Sequence, residues 1–245
     1  FLHPRFQKQP GYSFFKKFKS VRLSYDKDAT IQRLGSGWAW DDYVYSYSAQ
    51  QSLLPIYENL ATVTRTSDQT VAIQPSYFKK SMAVKQPFPS GFNISRAWDS
   101  NTFSVTGGGM LTKKIPFVPD ASTVLYLLAD TLRHAVKFDA TFFDDRVAST
   151  LYTQSTDTML QEMMQNSDNF LAEQSLLMVG LKQWNTVRTK DIIDTLLKTD
   201  FKNLPQAPKW VDGNGLSRYN LCTPQSFVRV LCAMEKEFSW NRITK

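Results

Sequence analysis

The amino-acid sequence predicts an α+β protein whose strands come first and whose helices follow. Up to about Asp120 the chain is rich in Tyr, Phe, Thr, Val, Pro and Gly. Short alternating runs, such as 59–65 (NLATVTR) and 70–75 (TVAIQP), are bounded by turn residues there, the pattern of strands with one buried face. Beyond Asp120 the apolar period lengthens: Val124, Leu127, Leu128, Leu132 and Val136 recur at helical spacing behind a cap at Asp120 or Ser122. No internal repeat and no Ser- or Pro-rich linker interrupts the chain. Two regions are therefore expected, a β-rich one over residues 1–148 that ends in a helix and a helical one over 149–245.

In the helical region Met159, Leu160, Met163 and Met164 form one apolar stripe. Phe170, Leu171, Leu176, Leu177 and Val179 form another, stopped by Gly180. Both stripes are expected in the core. Thr189 should cap a helix carrying Ile192, Ile193, Leu196 and Leu197, and Thr223-Pro224 has the cap-then-proline form that opens a last helix toward Glu237. Between them 209–220 (KWVDGNGLSRYN) reads as a short strand broken by a Gly-x-Gly turn.

With 245 residues, 42% of them hydrophobic and 13% aromatic, the chain can bury a real core, which excludes a disordered polymer. No window approaches the roughly 18 to 20 apolar residues of a transmembrane helix. The chain starts at Phe1 with no short apolar segment behind basic residues, so a signal peptide is expected to be absent or already removed, and export stays open. Cys222 and Cys232 lie among Leu, Val and Ala; buried free thiols and a local disulfide are the two readings. His3 and His134 are isolated from each other and from the cysteines, so no metal and no cofactor is expected.

The net charge of +7 is concentrated in the first 33 residues, where Arg5, Lys8, Lys16, Lys17, Lys19, Arg22, Lys27 and Arg33 face only Asp26 and Asp28. Interleaved with Phe14, Phe15 and Phe18, this run could hold an anionic polymer. No nucleic-acid motif accompanies it, and a solvated edge with no nucleic-acid partner is the preferred reading.

Ser167, Asp168 and Asn169 fall where one helix should end and the next begin. Their side chains could then face a cleft, or one of them could cap the second helix. Two further blocks bear on that choice. Residues 212–224 (DGNGLSRYNLCTP) follow downstream, and Gly35–Asn59, which contains Trp38, Trp40, Asp41 and Asp42, lies upstream.

In this order the three blocks resemble the serine-type D-Ala-D-Ala carboxypeptidase/endopeptidase family, the class C low-molecular-mass penicillin-binding proteins. The resemblance covers most of residues 34–238. It implies a penicillin-binding, β-lactamase-like peptidase fold whose helical lobe is present, with the β-rich region inserted into it. It also implies acyl transfer from a D-Ala-D-Ala peptide to a serine, followed by hydrolysis. Ser167 would then pass a proton toward the leaving amine, and Asn169 would hold the substrate's amide. Asp168 would shape the turn, while Asp212, Gly213, Gly215 and Ser217 would face the substrate. Implied partners are peptidoglycan stem peptides and β-lactam antibiotics, and the implied location is periplasmic or otherwise exported, at most peripheral to a membrane. The tryptophan block is expected to be structural, its rings packed in the inserted domain.

The chain departs from the family pattern in two places. Ser13-x-x-Lys16, Ser24-x-x-Lys27 and Ser76-x-x-Lys79 fit the nucleophile motif, but none opens a long apolar helix, and Ser-x-x-Lys occurs about this often by chance. Lys198-Thr199 is followed by Asp200, so Lys-Thr-Gly is missing. A milder change puts Asn214 where the family's Asp-Gly-Ser-Gly block has Ser; Asn also tolerates a turn. The chain is therefore read as the middle portion of such an enzyme, with a non-catalytic cell-wall-binding or scaffold protein of the same fold as the alternative.

Overall fold

The computed structural model describes residues 10–24, 31–66, 70–85, 91–139 and 151–244. By its internal contacts the chain divides into two units, Phe1–Ala29 with Trp40–Ser155, and Thr30–Ala39 with Thr156–Lys245. Residues 30–39 thus return to the helical unit, although they lie within the strand-rich half of the sequence.

In the β-rich unit, helix α1 (Pro10–Phe15) precedes strand β1 (Ser20–Leu23). Strand β2 (Leu60–Arg65) is the centre of an antiparallel sheet flanked by β3 (Val71–Gln74) and β7 (Leu111–Pro116). A second sheet has the order β4 (Met82–Val84), β6 (Phe103–Thr106), β5 (Asn93–Arg96). Alternation sorts the faces: Ala61, Val63, Ile73 and Ile115 point into a core shared with Phe78, Phe103, Phe117 and Leu127. Helix α2 (Ala121–Leu132) closes this core, its N-terminus capped by the Asp120 carboxylate, which accepts the Thr123 amide at 2.8 Å. Strand β8 (Ala135–Phe138) then runs parallel to β1.

The helical unit holds α3 (Thr156–Gln165), α4 (Asn169–Trp184), α5 (Thr189–Lys198), α6 (Pro224–Phe238) and α7 (Trp240–Ile243). Its core is formed by Leu176 and Leu177 of α4 against Ile192 and Ile193 of α5, with Ile31 from the returning segment packed on them. Among the described residues no helix is long and apolar enough to cross a membrane.

Several expectations need correction. Val136 belongs to β8, because the left-handed Arg133 ends α2 first. Gly180 does not stop α4; it is buried inside the helix, where a Cβ would overlap the Ile192 side chain, so it serves close α4–α5 packing. The first apolar stripe is not core: Leu160 is exposed and Met164 is 72% exposed. Val179 is exposed as well. Arg188, not Thr189, occupies the cap position of α5. Residues 209–220 form no strand, only a Lys209–Leu221 bridge that closes a loop. Cys222, ahead of α6, and Cys232, on that helix, whose only buried residue is Ser226, are free but exposed. His134 is half-buried beside the Lys16 carbonyl, whereas His3, Arg5, Lys8, Asp26, Lys27 and Asp28 lie outside the described residues.

Gly180→Ala tests the packing argument. Alanine favours a helix by up to about 1 kcal/mol, yet overpacking against Ile192 costs about 1 to 3 kcal/mol. Denaturant unfolding should therefore show a net loss of stability, and a gain would refute the close contact.

Candidate functional site

The Ser167–Asn169 tripeptide is a helix junction built by two opposed requirements. Helix α3 must satisfy its last carbonyls, and it does so with a Schellman pair: the Asp168 amide donates to the Met163 carbonyl at 2.8 Å and the Ser167 amide to the Met164 carbonyl at 3.4 Å. This geometry places Ser167 in the left-handed region, at φ 49°, where glycine is the usual occupant. Helix α4 must satisfy its first amides, and the Asp168 carboxylate accepts the Leu171 amide at 2.9 Å. Asp168 is therefore the cap. Ser167 is exposed, Asn169 begins α4 half-buried, Leu171 is buried and Met163 is half-buried.

The second block is organised by Asp212, only 1% exposed. Its Oδ1 accepts the Gly215 amide at 2.9 Å and the Asn220 Nδ2 at 2.7 Å, while Oδ2 accepts the Ser217 amide at 2.6 Å and the Trp38 indole N–H at 2.9 Å. Both oxygens are thus engaged within the protein, so the carboxylate shapes the turn. Ser217 is buried, and Gly215, at φ 79°, is exposed at the apex. Gly37, at φ 77°, lets the Trp38 segment approach: a Cβ there would meet the Ser217 hydroxyl at 2.5 Å.

The two blocks meet through Glu173, one turn into α4. Its Oε2 accepts the Gly213 amide at 2.8 Å. The contact is close because Gly213 lacks a side chain; a Cβ would stand 3.1 Å from the Ala172 carbonyl and from Leu176 Cβ. Burial raises the Glu173 pKa from 4.5 to about 7, and the negative Asp212 adds to the shift, against the hydrogen bonds from the Gly213 and Asn214 amides and the Thr189 side chain. Sequence reasoning missed Glu173, though its signal is visible: an acid set among Phe170, Leu171, Leu176 and Leu177 on one helix face.

The tryptophan block divides between the units. Trp38 is buried beside Asp212 in the helical unit, whereas Trp40 belongs to the β-rich unit with its ring 76% exposed. The expectation that both rings pack in the β-rich region is corrected accordingly.

Against this geometry, the profile of the D-Ala-D-Ala carboxypeptidase 3 (S13) family matches residues 18–243. The chain belongs to that family. A comparison with curated protein sequences gives no match. Among solved structures, this S13 chain resembles penicillin binding protein 4 (dacB) from Haemophilus influenzae, with a TM-score of 0.66 at 16% identity over 94% of this chain and 57% of that one. A second structure of that protein, complexed with a novel β-lactam, matches with a TM-score of 0.53 at 16% identity over 93% and 56% of the two chains. The S13 chain therefore shares the penicillin-binding protein 4 fold while spanning less than two thirds of the length of these relatives.

The Glu173 proton makes a pH prediction. Its folded pKa lies above its unfolded one, so between about pH 4.5 and 7 the folded chain holds a proton that the unfolded chain has lost. Stability from this group is complete below the unfolded pKa and declines as pH rises through the folded one, by about 3 kcal/mol in all. Unfolding measured at pH 5 and pH 8 should show this decline in the native chain and its loss in Glu173→Gln, whose amide oxygen can still accept the Gly213 N–H. Equal pH dependence in both would remove the buried-acid assignment.

Proposed function

We propose that this S13 chain is part of a peptidoglycan D-Ala-D-Ala carboxypeptidase/endopeptidase that works by serine acyl transfer outside the cytoplasm, with peptidoglycan stem peptides as substrates and β-lactams as covalent inhibitors. Family membership supports the reaction class, and the structure of penicillin binding protein 4 complexed with a β-lactam supports the inhibitor class. The observation that carries the residue assignment is the conformation of Ser167. A non-glycine residue in the left-handed region is costly, and such strain concentrates at functional sites. Here a serine stands where glycine would relax the turn, and Asp168 has taken over the capping.

In this reading the Ser167 hydroxyl relays a proton toward the leaving amine, and Asn169, at the first position of α4, presents its side-chain amide to the substrate's peptide bond. Asp212, Gly213, Gly215 and Ser217 form the facing turn, with Gly215 at its apex and Asp212 and Ser217 holding its shape from inside. The nucleophile and the Lys-Thr-Gly strand belong to other parts of the polypeptide. Three observations support that: neither motif is present in credible form, the relatives are longer, and α6 leaves Phe227, Val228 and Leu231 exposed, Phe227 by 66%.

Fluorescent penicillin tests this. The 245-residue chain alone should form no covalent adduct, and labelling mapped to Ser13, Ser24 or Ser76 would contradict the assignment. In the longer protein, Ser167→Ala should slow acylation on the order of 10²-fold. Its unfolding free energy should change by less than about 1 kcal/mol, because Asp168 makes the cap. Unchanged acylation would reduce the tripeptide to a turn.

A further inference from the structure

We propose that the β-rich unit carries a binding site of its own that takes a neutral glycan. The site is a cavity of about 420 Å³ above the outward face of the β3-β2-β7 sheet, within the roughly 300 to 1,000 Å³ of ordinary small-ligand sites. Thr62 pairs across the sheet with Gln74 on one side and Lys114 on the other, so these three polar side chains form one rung of the floor. Leu60 and Pro75 supply an apolar edge, and Asp130 of α2 stands on the rim.

The wall is formed by strained backbone. Tyr57, Glu58 and Asn59 are successive non-glycine residues with φ of 54°, 58° and 54°. Left-handed backbone costs L-residues energy at every position, and of these three only Asn tolerates it well. The surrounding structure holds the turn: the Asn59 side chain donates to the Gln50 carbonyl at 2.8 Å and accepts the Ile56 amide at 3.3 Å, and the Tyr57 hydroxyl meets Thr131 Oγ1 at 2.5 Å. The turn carries the Glu58 carboxylate, 3% exposed, into the cavity wall, where Lys114 Nζ pairs with it at 2.7 Å. An extended connection would close β2 without this cost, and strain kept at a cavity wall points to a ligand.

Charge and polarity identify the ligand class. Glu58 is neutralised by Lys114, and Asp130 pairs with Arg133 at 3.0 Å, so among the described residues that line the cavity both carboxylates are paired and little net charge is offered to a charged ligand. Glu58, itself buried, holds Lys114 in place, and the site offers a ligand the Lys114 ammonium with its further donors, the Gln74 amide and the Thr62 and Ser76 hydroxyls beside an apolar edge. A sugar with vicinal hydroxyls and an N-acyl methyl satisfies all of these.

The test uses the 245-residue chain without any β-lactam, so its outcome is independent of the acylation reading. Tri-N-acetylchitotriose titrated in the millimolar range should give saturable amide shifts confined to the cavity residues. Gln74→Ala, at the exposed end of the floor rung, should weaken binding about fivefold, and Lys114→Met about tenfold or more. Gln74→Ala keeps the test decisive if Lys114→Met fails to fold. Absence of saturable shifts, affinity unchanged by Gln74→Ala, or occupation of this cavity by a peptide ending in D-Ala-D-Ala in place of the glycan would each overturn the proposal.

Discussion

The buried Asp212 carboxylate is the interaction on which the helical unit depends. A carboxylate removed from water has to recover its lost hydration from fixed donors, and one left unpaired at such a position is strongly destabilising. Asp212 recovers it from two amides of its own loop, from Asn220 and from the indole of Trp38. The first three close the Gly213–Gly215 turn. The fourth anchors a segment from 174 positions away, which is how residues 30–39 come to belong with the helices. Asn220 strengthens the arrangement by also accepting the Val211 amide, and Trp210 by donating its indole N–H to the Asp212 carbonyl.

Besides the helix-ending Arg133, Asn185 and Ser239, left-handed non-glycine backbone occurs at Ser167 and at Tyr57–Asn59, and these two stretches are over-determined by their surroundings. At Ser167 the constraints are the Schellman bonds behind it and the Asp168 cap ahead of it. At Tyr57–Asn59 they are the Asn59 amide, the Phe117 amide that donates to the Asn59 carbonyl, and the Tyr57 hydroxyl. Strain of this kind persists only where neighbouring contacts outweigh it. It orients one side chain that relaxed backbone would aim elsewhere: outward for Ser167, inward for Glu58.

Features set by local chemistry were legible in the sequence. The Asp120 and Thr223-Pro224 starts and the alternation of β2 and β3 follow from side chains acting on their own neighbourhood. What escaped depends on distant partners. Gly180 has the look of a helix stop unless Ile192 is known to press against it. Trp38 and Trp40 are two positions apart and chemically alike, yet only Trp38 has a buried carboxylate to meet. The stripe of α3 and the apolar face of α6 show helical periodicity correctly, but periodicity reports an apolar face and not what covers it.

At Ser167–Asn169 the helix cap falls to the middle residue, Asp168. Asp168 has the more fitting group for the cap, since a carboxylate also complements the positive end of the α4 dipole. With the cap supplied from the middle position, α4 does not need the Ser167 hydroxyl for its first amides. Glu173 then matters because it lies one turn further along the same helix and holds the Gly213 amide. The position of the Asp212 loop relative to Ser167 and Asn169 is thereby fixed through a single helical turn and one hydrogen bond, a path too short to accumulate much play. A buried acid suits this task better than a leucine, because it makes a directional bond to backbone where a leucine would offer only contact.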